Sequence, residues 1–463
     1  MISMKASEIA AVTGGVLHGD DVLVTAPAFL NSADCVTGSI FLAIKGENVD
    51  GHNFAADAFS HGAVLVISTR PIENRCIVVS DVTAAVSALA THVRLALKNL
   101  TVIGITGSQG KTTTKELLAA VLSAEGPTIA PKGNNNNELG VPITLLKCDE
   151  ETRYCILEMG ARHLGDIAAL VRLARPNIGV VLRVAAAHLG EFGSMEAIAK
   201  TKSEMISELD SDAIAVLGQY DDFTPKMSSL HEGQIITFGE IPSAQIRATD
   251  IELRDGRGHF ELVTPEGRST VALRQHGLHQ IPNALATAAV AHALNISTDH
   301  IAAALSTAEM NARWRMEVHE LSDLTLINDA YNASPDSMKA ALTILAHMTQ
   351  ERGGESWAFL GNMRELGEST QGAHQEITSF ASELGIDHLV AINAPDYLGG
   401  EVANSAMVIH SCADKDEALK LAEHINRGDV ALCKASRSDK LEELAERIEE
   451  LWKSKVAREE GSK

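Results

Sequence analysis

Thr101–Leu118 reads TVIGITGSQGKTTTKELL, and three textures follow one another within it. TVIGIT is a β-branched run that suits a strand buried on both faces. Gly107 and Gly110 then allow the backbone to turn back on itself. From Thr112 to Ala124 the apolar residues Leu117, Leu118, Val121 and Leu122 share one face of a helix that would pack on a sheet. A strand, a Gly-rich turn and a helix in this order can cradle phosphate. Gly107 and Gly110 let the backbone turn so that N–H groups of the loop can point at phosphate oxygens, Lys111 brings a point charge to the β/γ-phosphates, and the Thr112 hydroxyl suits Mg²⁺; Thr106, Ser108 and Thr113 are further candidates in the same loop. The helix N-terminus adds its own partial positive charge. The strict GxxxxGK[ST] spacing is missed by one step, because Ile105 stands where the first glycine belongs and Gly104 precedes it. A Gly-rich strand–helix turn with a chance GKT is the plain alternative.

Outward from this loop the alternation continues. Tyr154–Glu158, Ile178–Leu182 and Ala213–Leu217 read as further strands, so a mostly parallel sheet with helices on both sides is expected, running to about Ala312. Upstream, Ser39–Lys45 and Ala63–Ser68 suit strands with a short helix at Ala55–His61 between them, and a helical stretch near Thr91–Leu100 leads into the loop strand. Downstream, strands are expected at Leu324–Asn328, Trp357–Gly361, His388–Ile392 and Asp429–Cys433, followed by a charged helix from Asp439 that fades into disorder toward Lys463. The expected fold is therefore α/β in three domains. Residues 1–98 form a small α/β domain, residues 99–312 a central parallel-sheet domain of P-loop type, and residues 313–463 a C-terminal Rossmann-like domain.

The 463 residues are enough for about three such cores. A net charge of −22 leaves no global basic field to neutralise a phosphate backbone, which excludes general nucleic-acid binding. Cys35, Cys76, Cys148, Cys155, Cys412 and Cys433 include no CxxC pair and read as thiols of a reducing compartment. The first residues lack the apolar core of a signal peptide, and no apolar run long enough to span a membrane follows. A soluble cytoplasmic protein, without membrane insertion and acting as a monomer, is expected.

TGSxGKT at this offset resembles the ATP loop of the Mur ligase family, and the resemblance extends along the chain. GNNNNELGVPITLL (Gly133–Leu146), EMGARHLGDI (Glu158–Ile167), AAAHLGEFGSMEAIAKTKSE (Ala185–Glu204), GLHQIPNALA (Gly277–Ala286), WRMEV (Trp314–Val318), NDAYNASPDSM (Asn328–Met338) and LGNMRELGE (Leu360–Glu368) follow in the family's order. Several of these forms are most similar to the branch of the family that adds a dipeptide. No DNPR-type motif of the branch that adds a single amino acid is found.

The resemblance implies an ATP-dependent ligase that joins D-alanyl-D-alanine to UDP-N-acetylmuramoyl-tripeptide through an acyl phosphate, in cell-wall precursor synthesis. It implies Mg²⁺, two ions in all, held by Thr112, Glu158, His188 and a carbamylated Lys202; Lys111, His188 and Lys202 would be catalytic. From the residues alone, Glu158 equally suits a strand-end ion pair, and Lys202 and Glu204 a polar helix face on which Lys200 competes. By resemblance Asn283, with His279, reads the adenine, and Arg315 and Asp329 complete the ATP site. Asn136, Asn137, Tyr331 and Asn332 are implied to meet substrate, with Asp336 in the same loop and Lys434, Ser436 and Arg437 in a closing loop. NSADCVTGSIFLAIKGENVDGHNF (Asn31–Phe54) resembles the family's UDP-binding module, with Ser32, Lys45 and Gly46 as the best matches. Two positions depart from the family's usual pattern: Ala33 stands for Arg, and Arg183 for Asn. A sister amino-acid ligase, a folylpolyglutamate-type ligase, or a P-loop NTPase switch remain the other readings.

Overall fold

A computed structural model describes residues 1–46, 48–131, 133, 135–185, 192–310, 313–402 and 406–460. The chain divides into two compact units. One comprises Met1–Val184, Ala199–Arg247 and Ala284–Ala304, the other Ala185–Ile198, Ala248–Asn283 and Leu305–Lys463.

The first unit is built around the strand Thr101–Thr106. It lies between Tyr154–Glu158 and Ile178–Val181, both parallel to it, with Ile105 opposite Glu158 and Thr106 opposite Val181. Ile214–Gly218 and Gln234–Gly239 extend the sheet on one side and Thr128–Ile129 on the other, all in parallel register. The central runs Thr101–Thr106, Tyr154–Glu158 and Ile178–Val181 are buried on both faces, as a sheet covered by helices requires. Helix Lys111–Ser123 buries Leu117, Leu118, Val121 and Leu122, the face its periodicity marks.

The same unit holds a smaller sheet in the order Val16–His18, Cys76–Val78, Ala63–Ser68, Ser39–Leu42 and Ala28–Phe29. The helix expected near Thr91–Leu100 instead runs Val82–Ala96. It begins earlier because the Asp81 carboxylate caps it, accepting the Ala84 N–H at 3.0 Å. Its far end is tied to the larger sheet, where Arg94 donates to the Ala174 carbonyl at 3.1 Å and to Asn177 Oδ1 at 2.9 Å.

The second unit contains a six-stranded sheet in the order Glu317–Leu321, Leu324–Asn328, Val430–Lys434, Ser356–Leu360, His388–Ile392 and Val408–Cys412. Only the first pair is antiparallel. Met338, Leu342 and Leu345 of helix Pro335–Arg352 and Ile377 of helix Thr370–Glu383 form one core cluster with the sheet. Leu444, Ile448 and Trp452 of helix Glu442–Glu460 belong to a second. The expected Rossmann-like layering is thus present. Its outer strands Glu317–Leu321 and Val408–Cys412 escaped the sequence reading because half-buried and exposed polar residues interrupt their apolar pattern. The expected disorder toward Lys463 falls on residues 461–463, outside the described residues.

The expected run of parallel structure to about Ala312 is corrected. Arg257–Thr264 and Gly267–His276 form a long antiparallel hairpin. Along most of each strand buried residues alternate with half-buried or exposed ones, the period-2 signature of strands with one wet face, and Pro265–Glu266 makes the turn.

Candidate functional site

The loop after Thr101–Thr106 is shaped by two glycines with positive φ, Gly107 at 155° and Gly110 at 83°. A Cβ on Gly107 would lie 2.9 Å from Cβ of Leu182, so no larger residue fits there without movement. Gly110 is the N-cap of helix Lys111–Ser123, and its carbonyl accepts the Thr114 N–H at 2.8 Å. Ser108 donates its N–H to the Arg183 carbonyl at 2.9 Å, which ties the loop to the end of the neighbouring strand. Lys111 curls back so that Nζ reaches the Gly107 carbonyl at 2.8 Å. At the head of the loop the buried Thr106 hydroxyl has no hydrogen-bond partner among the described residues, and a phosphate oxygen would supply one.

Glu158 stands at the carboxyl end of the adjacent strand and is buried, as is Thr112. The Thr112 hydroxyl donates to Glu158 Oε2 at 2.9 Å, and Asn136 Nδ2 donates to Oε1 at 3.0 Å. Three sequence-predicted residues therefore meet at one carboxylate, placed by three segments. The Asn136 segment is held in turn by Lys115, buried beneath it, whose Nζ donates to the carbonyls of Pro131 at 2.9 Å and Gly133 at 3.0 Å. Lys115 escaped the sequence reading because it sits one helical step from the apolar face and looks solvated. Asn137 is exposed and accepts the Gly140 N–H at 3.0 Å.

Lys202 is buried on helix Met195–Ser207 and has no hydrogen-bond partner among the described residues. Burial, aided by the nearby Lys111 cation, pushes its ammonium down to about 7. Its competitor Lys200 is exposed. Glu204, read as part of a polar face, instead accepts the Gly165 and Ala168 N–H groups at 2.7 and 3.0 Å, capping helix Asp166–Ala174. His188 lies outside the described residues. Among those described, no group of three or more His, Cys, Asp and Glu side chains is placed to hold a metal ion.

In the second unit, His279, Gln280 and Asn283 form a relay on one turn. Asn283 Nδ2 donates to Gln280 Oε1 at 2.9 Å, and Gln280 Nε2 lies 3.0 Å from His279 Nε2. A cavity of about 340 Å³ is lined by Gln275, His276, Gln280, Arg313, Arg315 and Glu317, among others. Arg315 stacks its guanidinium 3.8 Å over the Tyr331 ring, between Trp314 and Met316, both of which take positive φ (60° and 51°). Arg437 lies 4.3 Å over Trp314 and pairs with Glu442. Lys434 is buried and bonds Asp329 Oδ2 at 2.5 Å and the Asn332 carbonyl at 2.9 Å. Asp329 Oδ1 accepts the Met316 N–H at 3.0 Å. The structure thus joins Arg315, Asp329, Tyr331, Asn332 and Lys434 in one network. Asp336 sits in the first turn of the helix that follows. Ser436 instead holds the LGNMRELGE segment, its Oγ accepting the Arg364 N–H at 2.9 Å.

In the small sheet, Ser32 is buried in a single turn of 3₁₀-helix whose preceding Asn31 caps the Ala33 N–H at 3.2 Å. Lys45 and Gly46 are exposed, and the Gly46 N–H donates to the Val49 carbonyl at 2.9 Å.

Three families match successive parts of the chain: the Mur ligase family catalytic domain at residues 29–103, the Mur ligase middle domain at 105–291 and the Mur ligase glutamate ligase domain at 314–437. The chain belongs to the Mur ligase family. It is 37% identical to the UDP-N-acetylmuramoyl-tripeptide–D-alanyl-D-alanine ligase of Mycobacterium tuberculosis, over 97% of this chain and 98% of that one. The crystal structure of MurF from Acinetobacter baumannii superposes with a TM-score of 0.87 at 33% identity, covering 97% of this chain and 99% of that one. MurF from Thermotoga maritima, solved in complex with ADP, gives 0.81 at 29% identity over 93% and 99%.

Proposed function

We propose that this chain is a UDP-N-acetylmuramoyl-tripeptide–D-alanyl-D-alanine ligase, which forms one amide bond at the cost of ATP in peptidoglycan precursor synthesis. The observation that carries the reading is similarity to such ligases along nearly the whole length, with the loop and its carboxylate partner intact. A cytoplasmic location and a monomeric state accompany the proposal. Among the described residues no helix is long and apolar enough to cross a membrane.

A carboxylate is a poor acyl donor. Transfer of the ATP γ-phosphoryl group to the tripeptide carboxylate gives an acyl phosphate. The dipeptide amine attacks its carbonyl carbon, the tetrahedral intermediate loses phosphate, and the amine proton leaves to solvent or base. Catalysis is alignment of anionic reactants and neutralisation of their charge. The loop from Thr106 to Thr113 holds the phosphates, with Lys111 opposing their charge and the Thr106 hydroxyl available as a further contact. Thr112 and Glu158 are oxygen donors of the kind Mg²⁺ prefers, and they fit it; when bound, the ion would neutralise phosphate charge there. His279, Asn283, Arg315 and Asp329 contact the nucleotide, Asn136, Asn137, Tyr331 and Asn332 the peptide substrates, and Ser32, Lys45 and Gly46 the UDP group.

Lys202 carries a carbamate in this reading. Its neutral amine would attack CO₂, forming a C–N bond and releasing one proton, and the resulting carboxylate-like oxygens, with His188, would be the donors offered to a second Mg²⁺. A buried amine without a hydrogen-bond partner among the described residues, and neutral in good part near pH 7, favours that step.

The test incubates ATP with UDP-N-acetylmuramoyl-tripeptide and D-alanyl-D-alanine and weighs the products. Phosphate release dependent on both substrates, with the mass of the joined pentapeptide, is expected. Preference for a free amino acid on a shorter substrate, or vigorous ATP hydrolysis without acceptor, would defeat the assignment.

A further inference from the structure

We infer that Asp221 is a positioning residue for the phosphate loop, acting through the single peptide group between Arg183 and Val184. The inference rests on the reading of Gly107–Lys111 as the loop that holds ATP phosphates.

The geometry is a chain of short contacts across three neighbouring strand ends. The Arg183 carbonyl accepts the Ser108 N–H at 2.9 Å. The N–H of the same peptide group, that of Val184, donates to Asp221 Oδ2 at 2.9 Å. Asp221 itself is held rigidly in a turn. Its Oδ1 accepts the N–H groups of Phe223 and Thr224, both at 2.8 Å, and its Oδ2 also accepts the buried Thr224 hydroxyl at 2.7 Å. A carboxylate on the N–H side of a peptide polarises it and makes its carbonyl a better acceptor, so the two bonds reinforce each other.

Steric contacts run along the same path. A Cβ on Gly218 would lie 2.0 Å from the Leu182 carbonyl oxygen, and one on Gly107 would lie 2.9 Å from Leu182 Cβ. Leu182 donates its N–H to the Thr106 carbonyl at 3.0 Å. The turn at Asp221 therefore braces residues 182–184, and these brace the loop. Because the Ser108 N–H is used to hold the loop, the loop has its shape before nucleotide arrives. That lowers the ordering cost of binding phosphate. It also accounts for the tolerance of Arg at position 183: the contact to Ser108 uses its backbone, not its side chain.

The test compares Asp221→Ala and Asp221→Asn with the wild-type chain and with Thr224→Val, which removes only the hydroxyl contact. The Asn variant keeps one oxygen for the turn and turns an NH₂ group toward the Val184 N–H. Both Asp221 variants should weaken ADP binding and raise the KM for ATP about tenfold, the scale of one lost hydrogen bond to a charged group. The KM for the UDP-substrate should stay within about twofold, and hydrogen exchange at the Ser108 amide should accelerate about tenfold. Thr224→Val should resemble wild type. Unchanged Ser108 exchange, unchanged ADP affinity, or equal losses for all three substrates would each overturn the inference, and Ser108 exchange in Asp221→Asn decides it if Asp221→Ala does not fold. Lys111→Ala, measured beside them, keeps the underlying reading separate: full nucleotide affinity there condemns the phosphate loop itself, whatever Asp221 does.

Discussion

Lys202 has an ammonium that the unfolded chain keeps to about pH 10.4 and that the ligand-free folded chain keeps only to about 7. Between those limits the unfolded state binds more protons, so stability rises with pH across this window, and the full burial cost is present below it. Lys202→Met removes that cost. The ligand-free protein in CO₂-depleted buffer should then melt several degrees higher near neutral pH, with the gain shrinking toward about pH 10; a lower Tm near neutral pH would contradict it. The same position should lose most activity as Lys202→Ala, with partial recovery in acetate but not in chloride of equal ionic strength. Lys200→Ala should be mild. Activity of Lys202→Ala equal to wild type would rule out the carbamate. A different residue-scale outcome concerns Lys434, whose buried ammonium is paired with Asp329. Lys434→Met leaves that carboxylate without its cation and should cost about 3 kcal/mol of stability, read from denaturant midpoints; a cost below about 1 kcal/mol would mean solvent already screens the pair.

Helix Asp166–Ala174 illustrates how an element depends on a residue far away in the chain. Its first turn has N–H groups to satisfy, and Glu204 takes two of them from another helix. Glu204→Ala should therefore destabilise the protein by about 1–2 kcal/mol, the usual cost of a lost cap. Glu204→Gln, which keeps an acceptor oxygen, should recover part of it. Equal melting of Glu204→Ala and wild type would show that water replaces the carboxylate without cost. Helix Val82–Ala96 makes the complementary case, since its start at Asp81 is local chemistry visible in the sequence once the cap is recognised.

For the whole molecule, a net charge of −22 produces self-repulsion in the compact state. Raising ionic strength to about 0.15 M should lift Tm by a few degrees by screening, and thermal scans across a salt series would show it. No rise would mean that local ion pairs, such as Arg172 with Glu208 at 2.7 Å, already offset the repulsion. The activity assay belongs to this scale too, because phosphate release should require every substrate at once.

The strand–turn–helix at Thr101–Leu118 was legible because local rules act within it: β-branched burial, glycines where φ is positive, and helical periodicity. The same rules reached the core strands of the second unit, whose apolar runs are continuous. They do not reach the hairpin of Arg257–Thr264 and Gly267–His276, which departs from the parallel order expected to about Ala312. Glu158, Thr112 and Asn136 were each nameable in the sequence, yet only folding brings them onto one carboxylate. Lys115, Glu204 and Asp221 were hidden for a common reason. Each is a polar side chain that looks solvated along the chain and finds its partners far away in it, or, like Asp221, adds a distant backbone N–H to a local turn. Local propensity and hydrophobic period are written in neighbouring residues and could be read there. Hydrogen bonds between distant segments arise only when the sheet sets strand ends side by side, and those bonds shape the site.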